Sequence, residues 1–203
     1  MKLLNKGCIN DKQFTYLSSR PTLGDVKPRQ FYLLPKIHKD RNKWPINERM
    51  PEGRPIVSDC GSETHRVSEY IDYFLQPLAT SHEAYIKDTY DFIDKIRNSH
   101  IMVDIMVTGD ITALYTNMQI DSIIRSVKDI FAEFPSASRP DEKLLELLEI
   151  TLTRNDFSFR EEIFQQICGT AMGKRYAPSL ANIYLRKFDH SAKHGFHIKP
   201  RIY

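Results

Sequence analysis

The apolar patterning along the chain predicts an α+β fold, and three observations carry that prediction. Several long segments place apolar residues at i, i+3, i+4 and i+7, the period of a half-buried helix. Short runs of β-branched and aromatic residues end at proline or glycine, as strands do. The two kinds of segment follow one another without regular βαβ alternation, which separates this chain from a doubly wound sheet.

The first 26 residues show no clear periodicity. Arg29-Gln-Phe-Tyr-Leu-Leu-Pro35 then reads as a short strand stopped by proline. Residues 39–53 are polar and lie among Pro35, Pro45 and Pro51, the signature of an exposed loop. Arg54-Pro-Ile-Val-Ser58 is a second short strand, closed by Gly61. Between Glu63 and Leu78, the residues Val67, Tyr70, Ile71, Phe74, Leu75 and Leu78 make one helical face, with Thr64 placed to cap it. A shorter helix is expected over 89–97. Residues 101–111 are β-branched and apolar and read as a buried central strand ending near Asp110.

Helices follow over 121–134, with a stripe of Ile123, Ile124, Val127, Ile130, Phe131 and Phe134, and over 141–152, with Pro140 suited to the first turn. Phe157 to Phe159 and Ile163 to Cys168 read as a hairpin. Gly169 and Gly173 bracket a loop, and 177–189 is a last helix with Leu180, Ile183, Tyr184 and Phe188 facing inward.

Composition narrows the function classes. The chain has 203 residues, 41% hydrophobic and 27% charged, an ordinary globular balance. No apolar run reaches the ~20 residues of a membrane span, and Met1 to Lys12 has too short an apolar stretch for a secretory signal. Three cysteines (Cys8, Cys60, Cys168) lie far apart without a Cys-x-x-Cys pair, so they read as reduced thiols of an intracellular protein. The net charge of +3 conceals two basic blocks around an acidic middle. Residues 27–54 carry eight Lys/Arg against three Asp/Glu, residues 174–201 seven against one, and residues 55–173 ten against twenty. Such blocks either attract polyphosphates or simply face solvent.

Three features carry candidate chemistry. An aspartate closing an apolar strand, as Asp110 does, needs compensation for its charge. A divalent metal would supply it, with Tyr115 brought near by the following turn, and a role as cap of that turn is the other reading. The loop Cys168-Gly-Thr-Ala-Met-Gly-Lys-Arg-Tyr-Ala-Pro178 offers two glycines, then Lys174 and Arg175, just before a helix N-terminus. That combination suits a phosphate or a tightly packed strand-to-helix turn. It lacks the spacing of a P-loop. Lys36 and Arg54, on neighbouring short strands, could converge on a triphosphate or lie apart on the surface. His190, His194 and His197 have no standard zinc spacing and read as solvated helix-end residues.

Taken together, FYLLPKIHK, GRPIVSDCGS, YIDYFLQPL, YIKDTYDFIDKI, GDITALYTNM and GTAMGKRYAPSLANIYL stand in the order found in reverse transcriptases of Penelope-like retroelements, which are akin to telomerase. The chain resembles that family from Phe31 to about Asp189. The resemblance implies a right-hand polymerase, here its fingers and a partial palm. Residues 1–28 would be an N-terminal segment, 29–100 fingers-like, and 101–203 partial palm.

By the same resemblance Lys36 and Arg54 would contact the incoming deoxynucleoside triphosphate. Asp110 would be the first catalytic, metal-holding aspartate, the Ile111 carbonyl would help hold one of two Mg²⁺ ions, and Tyr115 would be the sugar gate. Met172, Gly173, Lys174, Arg175 and Pro178 would line nucleotide and template, with Met172 where many relatives carry glutamine.

The implied partners are an RNA template and a DNA primer, without a membrane, and the implied setting is intracellular and nuclear. Two-metal nucleotidyl transfer needs several carboxylates. The family takes the others from a Tyr-x-Asp-Asp hairpin, and this sequence contains no Asp-Asp pair. Gly109 also stands where a bulky apolar residue is expected. The reading is therefore a polymerase fragment inactive by itself, with a catalytically dead nucleic-acid-binding remnant as the alternative.

Overall fold

The computed structural model describes residues 7, 9–19, 28–45, 49–100 and 105–195. Seven α-helices, a short 3-10 turn at Arg41–Lys43 and two strand pairs occupy the described residues: α1 (Asp11–Ser18), β1 (Phe31–Pro35), β2 (Gly53–Val57), α2 (His65–Thr80), α3 (Thr89–Ser99), α4 (Leu114–Asn117), α5 (Ile120–Glu133), α6 (Asp141–Thr153), β3 (Asp156–Phe159), β4 (Glu162–Gln165) and α7 (Ala177–Gly195). The class is mixed α+β, with 51% helix and 12% strand among the described residues.

The core is made of helices. α7 packs against both α2 and α5, and α6 packs against α2 and α5 in turn. Each helix contributes the stripe that its sequence period prescribes: Tyr70, Ile71 and Leu75 from α2, Ile123, Val127, Ile130 and Phe131 from α5, Leu144, Leu148 and Leu152 from α6, Leu180 and Ile183 from α7. Leu75, Ile123, Leu152 and Leu180 are sealed completely, and truncating any of them to alanine is expected to cost about 2–5 kcal/mol. Phe188 departs from the expected face. It is mostly exposed, because beyond Ile183 the helix meets its neighbours through the charged side chains Arg186, Lys187 and Lys193 and buries no further apolar residue.

The strands form two separate antiparallel pairs. β1 and β2 pair with Leu34 opposite Arg54 and Pro35 opposite Gly53. β3 and β4 pair with Phe157 opposite Phe164. Residues 29–30 hold the two pairs together. Ser58 N–H donates to the Gln30 carbonyl at 3.2 Å and Ser158 N–H to the Arg29 carbonyl at 2.7 Å. Phe31 lies against the rings of Phe157 and Phe159.

Three sequence expectations need correction. The region before residue 27 contains a helix, α1, set by a reciprocal capping box between Asn10 and Gln13 with both bonds at 2.9 Å. Eight residues with little apolar content are too short for a periodic signal, so the cap is the stronger clue. Thr64 precedes α2 but makes no side-chain cap bond, because its hydroxyl is engaged elsewhere.

The expected buried strand over 101–111 is the largest discrepancy. Residues 101–104 lie outside the described residues. Residues 105–111 are exposed and belong to no strand, with Ile105 82% and Val107 93% accessible. β-branched residues favour an extended chain but cannot bury it without a paired neighbour, and among the described residues none lies alongside.

Candidate functional site

The glycine loop is the junction where the distant segments meet. Gly169 adopts φ +74°, a conformation that favours glycine, and a Cβ there would overlap the Tyr115 carbonyl. The next amide, Thr170 N–H, donates to that same carbonyl at 2.8 Å. Gly173 is pressed onto the end of β2 so closely that a Cβ would overlap the Val57 carbonyl oxygen. The loop thus touches the turn at 113–117 on one side and the β1–β2 pair on the other. It then closes into α7 through Ala177 N–H to the Lys174 carbonyl, 3.1 Å.

Behind this junction lies a buried ion cluster that sequence reasoning missed. Asp59, immediately after β2, is 1% exposed. Its Oδ1 lies 3.0 Å from Arg29 Nε and 3.2 Å from Lys174 Nζ. Ser62 and Thr64 hydroxyls donate to the same oxygen at 2.7 and 2.8 Å, and Ser68 donates to Oδ2 at 2.9 Å. Thr64 Oγ1 in turn accepts from Arg29 Nη2 and Lys174 Nζ, both at 2.7 Å. Arg29 Nη1 donates to the Asp156 carbonyl at 3.0 Å and pairs with its carboxylate at 3.2 Å. Two buried cations therefore face one buried anion, with the half-exposed Asp156 restoring the balance.

The electrostatics follow from that geometry. Burial alone would raise the Asp59 carboxyl, but the Lys174 ammonium and the hydrogen bonds from Ser62, Arg29 and Thr64 outweigh it and hold the group below its usual range. Burial pushes Lys174 down to about 8, with Asp59 opposing the shift. Next to the cluster, Tyr176 is sealed, its hydroxyl 3.0 Å from that of Thr151, and burial raises its pKa.

The expected site residues divide sharply. Gly173 and Tyr115 are brought to one junction, as just described. Lys174 is correctly placed in the loop but is spent on Asp59, so it is not free to meet a phosphate. Arg175 is exposed, 4.0 Å from Asp72. Met172 is half-buried, and Pro178 is exposed in the first turn of α7. Lys36 is paired with Glu52 at 2.9 Å, which holds that carboxyl below its usual range, whereas Arg54 lies exposed on β2.

Asp110 and Ile111 sit in solvent, ahead of the α4 turn. Asp110 therefore does not close a buried apolar strand, and its charge needs no compensating partner here. Its unpaired segment leaves the carboxylate hydrated.

Among the described residues no three acidic, histidine or cysteine side chains gather where they could share a metal ion. Cys60 and Cys168 are free thiols. The rings of His190 and His194 lie 4.5 Å apart on α7, tilted by 48°, and His197 lies outside the described residues. No helix among the described residues is long and apolar enough to cross a membrane.

The signal that could have revealed Asp59 is local. Ser-Asp-Cys-Gly-Ser-Glu-Thr, between a strand and an amphipathic helix, is dense in hydroxyls able to solvate a buried carboxylate. Its cationic partners stand 30 and 115 positions away and leave no trace in that run. No family model matches the chain, and no curated protein matches it.

Proposed function

We propose that the chain is the fingers and the front of the palm of an RNA-directed DNA polymerase of the retroelement type, able to hold a nucleotide but not to join one by itself. The observation that supports this reading best is the junction. The strand carrying Arg54, the turn carrying Tyr115 and the loop carrying Met172 and Gly173 are far apart in sequence and meet through backbone contacts too close for any side chain at the two glycines. These are the segments that the resemblance assigns to one nucleotide pocket. Arg54 and Arg175 would offer cations to its phosphates, and Tyr115 would limit the sugar.

The reaction that this reading implies uses two divalent ions held by several carboxylates. The described residues do not make such a site: Asp110 is exposed and no group of three ligands is present. No bond-making step is therefore assigned to these residues. The remaining carboxylates would come from a Tyr-x-Asp-Asp hairpin, whose pairing would also give residues 105–110 a strand neighbour, which they do not have among the described residues.

Primer extension tests the proposal. The 203-residue chain is expected to add no nucleotide to an RNA-templated DNA primer in Mg²⁺. The chain extended at its C-terminus by a grafted reverse-transcriptase Tyr-x-Asp-Asp hairpin is expected to extend the primer, and Asp110→Asn to abolish that synthesis. Extension unaffected by Asp110→Asn, or none from the lengthened chain, overturns the reading.

A further inference from the structure

We propose that Asp59 is the positioning residue of the glycine loop: acting through Lys174, it fixes the loop against β2 and so sets the nucleotide-facing surface without touching nucleotide. This rests on the nucleotide-site reading above. The cluster is built more heavily than a turn requires. Asp59 receives two cations and three hydroxyls, and these five donors come from three separate parts of the fold. Arg29 precedes β1 and reaches β3 through Asp156. Ser62, Thr64 and Ser68 lead into α2. Lys174 alone belongs to the loop, and its side chain is fully sealed.

A buried lysine is an expensive way to hold a turn. Removing an ammonium from water carries a penalty that a single ion pair barely offsets, and apolar replacements of buried pairs are often neutral or stabilising. Arg29 also pairs with Asp59, so Lys174 is the second cation on that carboxylate, and burial pushes it down to about 8 in spite of the pair. What Lys174 does contribute is geometry. It is the residue after Gly173, so its bonds to Asp59 and to Thr64 Oγ1 at 2.7 Å hold the loop at the point where Gly173 meets the Val57 carbonyl. Positional control, rather than stability, accounts for a cation placed there.

The test compares the full chain with Asp59→Asn and Lys174→Met. Amide hydrogen exchange is followed at Thr170, Gly173 and Lys174 in the loop and at Val127 and Leu148 in the helical core. Deoxythymidine triphosphate binding is measured by calorimetry on the same samples. Loss of a charge-assisted bond should speed loop exchange by about tenfold or more and weaken triphosphate binding by a similar factor, with core exchange unchanged.

Lys174→Met keeps the Asp59–Arg29 pair and so remains folded even if Asp59→Asn does not. It is expected to melt no lower than the parent while its loop exchanges faster, a separation that a merely structural role would not produce. Loop exchange unchanged in Lys174→Met, or accelerated equally at Val127 and Leu148, overturns the proposal. If loop exchange responds as stated but no chain, parent included, binds the triphosphate, the nucleotide-site reading fails and the control of the loop by Asp59 stands.

Discussion

Asp59 and Asp110 each follow a short apolar stretch and each leads into a turn, yet one is sealed among five donors and the other is bathed in solvent. The difference lies in the backbone that precedes them. Residues 53–57 are paired with β1 and covered by the glycine loop, so the chain emerging from β2 enters the interior, where Arg29 and Lys174 are waiting. Residues 105–109 have no paired neighbour among the described residues, so nothing draws the following carboxylate inward. An aspartate's fate is thus decided by whether its strand has a partner, and side-chain chemistry adjusts itself afterwards: hydroxyls and cations at Asp59, water at Asp110.

Three further measurements would sharpen or break this contrast. The largest effect is expected from Gly169→Ala. It forces a side chain into a left-handed backbone conformation and onto the Tyr115 carbonyl, and should lower the unfolding free energy by about 3 kcal/mol in urea titration. A loss below about 1 kcal/mol would mean that the junction yields easily and does not lock the buried side of the molecule.

The next effect is a pH dependence. Lys174 has a folded pKa of about 8 against 10.5 for the free side chain. Between those values the unfolded chain keeps a proton that the folded chain has shed, so stability should rise with pH across that window and be independent of this group below it. The slope is limited to about 1.4 kcal/mol per pH unit for one proton. Lys174→Met should remove this increment, so the difference between parent and variant midpoints from pH 7 to 10 isolates it. A parallel pair of curves would show that the amine is not desolvated. The smallest effect is expected from Asp110→Asn in the 203-residue chain, a change within about 0.5 kcal/mol, because a hydrated carboxylate supports no packing. A large loss would reveal that the segment is buried after all.

The same contrast explains what the sequence made legible. The helices α2, α5 and α6 and the start of α7 were readable because their burial follows a period internal to each segment: Ile123, Val127, Ile130 and Phe131 announce one face without reference to the rest of the chain. The hairpin of β3 and β4 was equally local, two aromatic runs about a two-residue turn at Arg160 and Glu161. Of the candidate site, the two glycines could be recognised as points of close approach, but what they approach, Val57 and Tyr115, lies more than 50 residues upstream. Asp59, Arg29 and Lys174 have no common period and no short spacing. A charge cluster assembled from three remote positions is a product of tertiary packing. Residues 105–111 misled for the complementary reason: an apolar, β-branched run describes a preference for extension, whereas burial belongs to the neighbour.

One more consequence follows from α7. Its first half is held by buried Leu180, Ala181 and Ile183, while its second half is fastened by surface ion pairs, Arg186 with Glu133, Lys187 with Asp129, and Lys193 with Glu83 at 2.6 Å. Apolar adhesion is not weakened by charge screening, but pairs at the surface are. The helix is therefore glued along one half and clipped along the other. Concentrated brine would release the clips first, letting the terminal turns fray while the glued half stays seated on its neighbours.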